Sequence, residues 1–275
     1  MKIRNADNII ITREVKTNNF NKSPKVFLLD INRAEVEYFS VANIEKRIGK
    51  VYKNLQRKIF DLHKQGFLIK LENGKYCLPN FNDNFVIGTF LLENSAIAYW
   101  SALNYWNLTE QIPNTVFVQS PVFKKSKTIR NVEYKFIKIA ENKFIGITSA
   151  GRGNHKFRIT DIEKTLIDCF DLPQYAGGFA ELIRAFYIAK INVTKLTEYA
   201  LKVNNLTVMK RISYLAELFE FSGYKRFHQE TQKRLKDKYT YFSPFDKKEG
   251  KFISRWKLCL NIEPEKILDI VRKTY

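Results

Sequence analysis

The sequence predicts an α+β fold with two domains, on three observations. The 275 residues are 45% hydrophobic and 14% aromatic, which is ample for packed cores. Apolar residues at helical spacing are interspersed with short apolar runs that are typical of strands. The length fits two domains of ordinary size or one large domain, and the order of the predicted elements favours two. We therefore expect one domain at residues 1–80 and a mixed α/β domain with several helices at residues 81–275.

The net charge is +19, from 47 Lys and Arg against 28 Asp and Glu. Residues 1–80 contribute +8, residues 81–180 contribute +2 and residues 181–275 contribute +9. This excess favours an anionic partner, either nucleic acid, an anionic membrane surface or an acidic protein. The high hydrophobic content excludes a disordered basic tail. We expect two basic surfaces, one from each end of the chain.

No apolar run approaches the about 18–20 residues that a membrane span requires, and no apolar signal core follows Met1. The expectation is a soluble, cytoplasmic protein without a membrane partner. Three widely spaced cysteines, Cys77, Cys169 and Cys259, form neither a disulfide framework nor a zinc motif, and we expect buried thiols. The three histidines are isolated. We expect no metal and no cofactor.

The first domain begins with two predicted helices. One is expected around residues 31–38, with Asp30 as its N-cap. A second, short helix is expected at residues 41–48, capped by Ser40. Gly49 would end it in the left-handed conformation that glycine adopts readily.

A longer helix and a hairpin complete the first domain. Apolar residues at helical spacing predict a helix over residues 51–65, ended by Gly66. Asn73-Gly74 lies between two apolar segments and predicts a hairpin with a type I′ turn, which needs positive φ at both residues. Helix, short helix, long helix and hairpin is the order of a winged helix-turn-helix, whose third helix enters the major groove of DNA.

The predicted third helix and hairpin carry side chains suited to DNA. Lys and Arg neutralise phosphates, and Asn, Gln and Arg can bind base edges through two hydrogen bonds. Tyr52, Asn54 and Gln56 are the preferred candidates for base contacts. An ordinary solvated helix followed by a hairpin remains the alternative. The candidate DNA-binding residues are Lys50, Tyr52, Lys53, Asn54, Gln56, Arg57, Lys58, Lys70, Asn73 and Lys75.

The second domain is predicted to begin after a linker at residues 81–90. Asn94 or Ser95 would cap a helix through residues 96–106, and strands are expected at 115–118, 134–140 and 144–147. A capping box, Thr160 to Glu163, opens a further helix that ends before Pro173. The remaining expected elements are helices at 179–190, 194–203, 207–221 (capped by Thr207), 225–236 and 265–273 and a strand at 252–262.

Two groups of cations are candidates for a second basic surface. The first lies between two predicted strands, where a solvated hairpin tip is the alternative. The second lies on the predicted helices of the C-terminal third. The candidates are Lys124, Lys125, Lys127, Arg130, Lys210, Arg211, Lys225 and Arg226.

The carboxylates around Glu163 raise the alternative of a Mg²⁺-dependent nuclease. Such enzymes place an Asp and a Glu-x-Lys around the metal. Here Glu163 and Lys164 are adjacent, without the intervening residue, and acids suit the start of a helix. Asp168 and Asp171 follow on the same segment. Nothing else in the chain favours catalysis, so we expect no enzyme.

Two long stretches of the second domain resemble the AbiEi family of type IV antitoxins and transcriptional regulators. One is YWSALNYWNLTEQIP at residues 99–113, and the other is EKTLIDCFDLP at residues 163–173, followed by Gly177-Gly178. Shorter pieces of the chain are also similar to the family, and the resemblance covers about residues 35–262. These pieces lie at residues 74–76, 241–244 and 256–261.

The resemblance implies that an N-terminal winged helix binds double-stranded operator DNA and represses its own operon. It implies that the second domain counters an AbiEii-like toxin of the nucleotidyltransferase class in a phage-defence system, without forming a stable complex. It implies no catalytic activity, and gives Glu163 and Asp168 structural roles. A stand-alone winged-helix regulator without a toxin remains the main alternative.

Overall fold

A computed structural model describes residues 24–272 and shows a mixed architecture of the α+β class. The chain divides into two compact units between Asn82 and Asp83, two residues beyond the boundary expected from the sequence. We call residues 24–82 the N-unit and residues 83–272 the C-unit. None of the helices within residues 24–272 combines the length and the apolar character that crossing a membrane requires.

The N-unit packs three helices against a small antiparallel sheet with strand order β1-β3-β2. Its core includes Phe27, Phe39, Ile59 and Leu62, all at most 1% exposed. The Phe27 and Phe39 rings meet edge to face at 6.0 Å. The elements are α1 (Pro24–Arg33), β1 (Tyr38–Ser40), α2 (Ile44–Ile48), α3 (Leu55–Lys64), β2 (Ile69–Glu72) and β3 (Lys75–Cys77).

The expected first helix is shifted along the chain. Asp30 is not a cap, because it lies inside α1, which ends at Arg33. Residues 38–40 form β1, which pairs with β3. The left-handed end of α2 is confirmed, since Gly49 has φ +74°.

The hairpin between β2 and β3 is present, but its expected type I′ turn is wrong. Gly74 has φ +73°, whereas Asn73 does not have a positive φ. The β2–β3 register shifts between Lys70 and Glu72, and this irregularity accompanies the different turn.

The C-unit contains a six-stranded mixed sheet of order β6-β7-β5-β4-β9-β8 and a three-stranded sheet of order β10-β12-β11. Its helices and strands are α4 (Asn84–Leu91), β4 (Ala96–Ile97), α5 (Tyr99–Tyr105), β5 (Thr115–Ser120), β6 (Lys127–Ile129), β7 (Val132–Lys138), β8 (Ile147–Ala150), β9 (Phe157–Thr160), α6 (Ile162–Asp171), α7 (Phe179–Ile188), α8 (Val193–Val203), α9 (Leu206–Leu218), α10 (Lys225–Lys233), β10 (Thr240–Tyr241), β11 (Lys251–Ile253), β12 (Leu258–Leu260) and α11 (Pro264–Arg272).

Several expectations for the C-unit are corrected at element starts. Residues 81–90 are not a linker, because Asp83 accepts hydrogen bonds from the first turn of α4. Ala96–Ile97 is a strand between β5 and β9 rather than the start of a helix. The expected strand at 252–262 is two strands, β11 and β12.

Polar caps also differ from expectation. Asp161, not Thr160, caps α6 through a 2.9 Å bond from the Lys164 N–H. Glu163 does not close a capping box, because it accepts from the Asn192 N–H at 2.8 Å. Asn205, rather than Thr207, caps α9.

Helix α6 lies in the core of the C-unit, with Leu166, Ile167 and Phe170 fully buried. Gly177 allows the Trp100 side chain to lie close to the main chain. A Cβ at Gly177 would lie 2.5 Å from Trp100 Cε2, and its φ of +77° also favours glycine. The three cysteines are free and buried, as expected.

Candidate nucleic-acid interface

The segment that joins α2 to α3 is held by side chains of the N-unit. Glu45 Oε1 in α2 accepts a 2.6 Å hydrogen bond from the Tyr52 N–H. The chain then enters α3 through Asn54, which has the left-handed φ of +56°. Asparagine tolerates this conformation better than most residues. The connection therefore has a defined geometry, with Lys53 and Asn54 exposed at the start of α3.

Tyr52 is not free for DNA, which corrects one of the candidates, whereas Lys50 is engaged in an ion pair but keeps 39% of its side chain exposed. Tyr52 is only 7% exposed, and its hydroxyl donates to Asp30 Oδ2 at 2.6 Å. Lys50 Nζ donates to the same oxygen at 2.6 Å. Hydrogen bonds from Lys50 and Tyr52 lower the pKa of Asp30, against the opposing effect of burial. The hydrogen bonds of Lys50 and Tyr52 to Asp30 therefore connect the α2–α3 segment to α1.

Lys58 is also corrected, because it belongs to the buried side of α3. It is 4% exposed and follows Leu55 by three residues, beside the core residues Ile59 and Leu62. Positions three and four residues apart share one helix face, so Lys58 turns inward with the apolar stripe. Burial, and then the charge of Lys50, lowers the pKa of Lys58.

The exposed face of α3 carries a cluster that the sequence analysis did not find as a unit. Phe60 is 45% exposed and lies between Arg57, whose Cζ is 5.6 Å from the ring centre, and Lys64, whose Nζ is 5.1 Å away. Arg57 Nε also pairs with Asp61 Oδ1 at 3.2 Å. The spacing of residues 57, 60 and 64 on one helix face was the available signal.

The β2–β3 hairpin supplies further polar side chains. Lys70 and Asn73 are exposed, in accordance with their expected positions. Lys75 is half-buried, and its Nζ lies 2.9 Å from Glu72 Oε1. Residues 41–70 contain eight Lys or Arg and two Asp or Glu. The positive charge of the N-unit is therefore concentrated on α2, α3 and the start of the hairpin.

In the C-unit, Lys210 and Arg211 are not part of a basic surface, and this corrects two more candidates. Lys210 is 2% exposed, and Nζ donates to the main-chain oxygens of Lys238 at 2.8 Å and Lys257 at 3.2 Å. The Arg211 guanidinium donates to the oxygens of Phe170 at 3.2 Å and Tyr241 at 3.3 Å. Burial lowers the pKa of Arg211 to about 10.

The other candidates of the second basic surface are more accessible. Lys125, Arg130, Lys225 and Arg226 are exposed, whereas Lys124 and Lys127 are half-buried. Arg130 and Asn131 have φ of +51° and +65° in the turn between β6 and β7. Positive φ at both residues is the pattern of a type I′ turn, so this hairpin has the geometry that was expected at Asn73-Gly74.

The carboxylates of α6 are engaged with cations of the C-unit. Asp168 pairs with Lys164, and both are buried. Lys195 Nζ lies 2.9 Å from Asp161 Oδ2 and 3.2 Å from Glu163 Oε2. Within residues 24–272 no group of three or more His, Cys, Asp and Glu side chains could hold a metal ion.

The fold and these contacts define an α+β protein whose N-unit exposes an aromatic and basic helix face. No family model and no curated protein matches the chain. It is similar to the crystal structure of the RV2827C protein from Mycobacterium tuberculosis, with a TM-score of 0.63 over 90% of this chain and 94% of that chain. The sequence identity is 14%, so the similarity shows the fold alone.

Proposed function

We propose that the protein is a transcriptional regulator that binds operator DNA through a winged helix-turn-helix in the N-unit. The observation that carries the proposal is the exposed face of α3, which the β2–β3 hairpin follows in the chain. Once the buried side chains are removed from the candidates, this surface still combines cations, amides and an exposed aromatic ring. Its members are Lys53, Asn54, Gln56, Arg57, Phe60, Lys64, Lys70 and Asn73.

The order of elements supports this proposal. In a winged helix-turn-helix, two helices joined by a short connection precede a hairpin, and the second of them enters the major groove. Helices α2 and α3 and the β2–β3 hairpin follow in that order. Helix α3 has ten residues, so it is about 15 Å long. The groove is about 12 Å wide and admits a helix.

The exposed side chains divide into two roles. Lys53, Arg57 and Lys70 would neutralise phosphates and fix the position of the unit on the duplex. Asn54 and Gln56, near the start of α3, would bind base edges, since amides can make paired hydrogen bonds with adenine. Phe60 would support the two cations that flank its ring.

We further propose that the regulator is the antitoxin of a type IV system. The support is the resemblance of residues 99–113 and 163–173 to the AbiEi family. In this proposal the protein represses its own operon and counters a toxin of the nucleotidyltransferase class without a stable complex. A stand-alone regulator is distinguished by the absence of a toxin gene beside its own.

The DNA-binding proposal is tested by reversing two charges, in a Lys53→Glu, Arg57→Glu double variant. Affinity for duplex DNA from upstream of the gene should fall about tenfold or more, because two phosphate contacts become repulsive. The matched control is Lys190→Glu, Lys202→Glu, which makes the same change in net charge at two exposed cations of the C-unit. Equal affinity of the two double variants would exclude the α3 face as the DNA site.

The antitoxin proposal is tested by co-expression with the product of the neighbouring gene. The wild type and the Lys53→Glu, Arg57→Glu variant should both restore growth, because neutralisation is assigned to the C-unit. Failure of the wild type to restore growth would refute the antitoxin proposal and leave DNA binding unaffected.

A further inference from the structure

A cavity in the C-unit lies outside the proposed DNA site. It has a volume of about 650 Å³ and is bounded by the ends of α8 and α10, the start of α9, and β10. Ligand pockets commonly have volumes of about 300–1,000 Å³. The described residues that line it include no Asp or Glu. They include five cations, Lys210, Lys233, Arg234, Lys236 and Lys238.

The charges of these cations are only partly compensated. Lys233 and Arg234 both pair with Glu230, at 2.8 Å and 2.5 Å. Within residues 24–272, no carboxylate forms an ion pair with Lys236 or Lys238. Asp237, between Lys236 and Lys238 in the chain, pairs with Lys257 at 2.7 Å. Five cations around one concave surface, with Glu230 and Asp237 as the carboxylates beside them, create a positive potential that attracts anions.

Two buried groups of the cavity retain hydrogen-bonding capacity. Lys210 Nζ uses two of its three hydrogens on the main-chain oxygens of Lys238 and Lys257. Thr240 Oγ1 is buried and has no hydrogen-bond partner among the described residues. Buried polar groups are ordinarily hydrogen-bonded, so a buried hydroxyl without a partner requires an explanation. An anionic oxygen in the cavity could accept from both side chains.

The first turn of α9 adds to the positive potential. Leu206 and Thr207 lie at the start of this 13-residue helix and line the cavity. The N-terminus of a helix attracts anions through its dipole, although the Thr207 N–H of α9 is already bonded to Asn205 Oδ1. Burial, together with the charges of Lys257 and Lys238, lowers the pKa of Lys210, and a nearby anion would oppose that effect.

The walls of the cavity are not uniformly polar. Leu206 and Leu235, both half-buried, contribute apolar surface beside the cations. An inorganic anion would leave that surface without a complementary partner. We propose that the cavity binds an organic polyphosphate of the nucleoside triphosphate class, with its phosphates at Lys210, Lys236 and Lys238 and its base against the apolar wall.

The test is calorimetric titration of the full chain with ATP, tripolyphosphate and AMP. We expect ATP to bind about tenfold more tightly than either of the others, because only ATP has both the phosphates and the base. Equal affinity for ATP and tripolyphosphate would overturn the role of the apolar wall. Absence of ATP binding would overturn the proposal, including the case in which duplex DNA binds the cavity instead.

Variants locate the binding. Lys236→Ala, Lys238→Ala should weaken ATP binding about tenfold or more, while the exposed control Lys247→Ala, Lys248→Ala should not. Equal ATP affinity of these two variants would overturn the site.

Thr240→Val should weaken ATP binding about threefold or more and leave the melting temperature of the ligand-free protein unchanged or higher, because it removes a buried hydroxyl that has no partner among the described residues. Unchanged ATP affinity with a lower melting temperature would assign the hydroxyl to the fold.

Discussion

In two helices of this protein a Lys and an Arg are adjacent in the sequence, and the two adjacent pairs differ in how far they are exposed. In α3, Arg57 is exposed, with 74% of its side chain accessible, whereas Lys58 is buried. In α9, Lys210 and Arg211 are both buried. The difference follows from the helices, because α3 exposes one broad face while every residue of α9 from Val208 to Ala216 is buried.

The comparison shows that a cation count does not measure a basic surface. Lys210 and Arg211 direct their hydrogen bonds to main-chain oxygens, and so connect α9 to the end of α6 and to the segments around β10 and β12. Long charged side chains can serve as structural links when main-chain oxygens accept most of their hydrogens. Part of the +9 net charge of residues 181–275 is therefore internal, whereas Lys53, Arg57 and Lys70 of the N-unit are exposed.

The largest effect is expected from removing a buried cation. Lys164→Met would leave Asp168 buried without its counter-charge and should lower the free energy of unfolding by about 3–5 kcal/mol. The double variant Lys164→Met, Asp168→Leu should recover most of that loss in urea denaturation. Equal stability of the single variant and the wild type would show that the pair contributes nothing.

This variant also has a defined pH dependence. Burial raises the pKa of Asp168, and the charge of Lys164 opposes the rise. When the pKa of a carboxyl group is higher in the folded than in the unfolded protein, the group stabilises the fold at low pH. That contribution is lost as the pH rises through the pKa of the folded protein. The deficit of Lys164→Met should therefore shrink when the pH is lowered from about 7 to about 5.

Arg211→Ala should have the next largest effect, a loss of about 2–3 kcal/mol. It removes two hydrogen bonds from a charged group and leaves the oxygens of Phe170 and Tyr241 without them. The exposed control Arg226→Ala should stay within about 0.5 kcal/mol of the wild type in the same urea titration. Similar losses in both variants would contradict the contrast between buried and exposed cations.

The sequence predicted the class of fold and many helices, because apolar spacing identifies which residues turn inward. The same spacing also predicts that Lys58 is buried, because Leu55, Ile59 and Leu62 lie on the same side of α3. The cations of α9 could not be assigned in this way. Their acceptors are main-chain oxygens 28 to 47 residues away, and such distant contacts leave no local pattern.

Element starts were predicted less well where tertiary contacts compete with local propensity. Asp30 has the side chain of a helix cap, but Lys50 and Tyr52 bind it from 20 and 22 residues away. Ala96 and Ile97 suit a helix, but pairing with β5 and β9 makes them a strand. In both cases a distant partner decided the structure, and local sequence does not encode it.

A smaller effect is expected at Asp30, which connects α1 to the α2–α3 segment. Asp30→Asn should cost about 1–2 kcal/mol near neutral pH, because two hydrogen bonds lose their charged acceptor. Its pKa is lowered in the fold, so its contribution is present above the ordinary value of 3.8 and is lost as the pH falls through the folded value. The wild type and variant should therefore converge in acid. The control Asp61→Asn, at a half-buried carboxylate that pairs with the exposed Arg57, should change stability by less than about 0.5 kcal/mol.

The smallest effect on stability, below about 0.5 kcal/mol, is expected for Lys53→Ala, Arg57→Ala, since both side chains are exposed. Its effect on DNA should be specific. If each cation neutralises one phosphate, the slope of log affinity against log salt should become less steep by about two. Gel-shift or anisotropy titrations at several salt concentrations measure this slope, with Lys190→Ala, Lys202→Ala as the control. An unchanged slope with unchanged stability would mean that exposure on α3 does not amount to a DNA contact, and that the helix is only a solvated face.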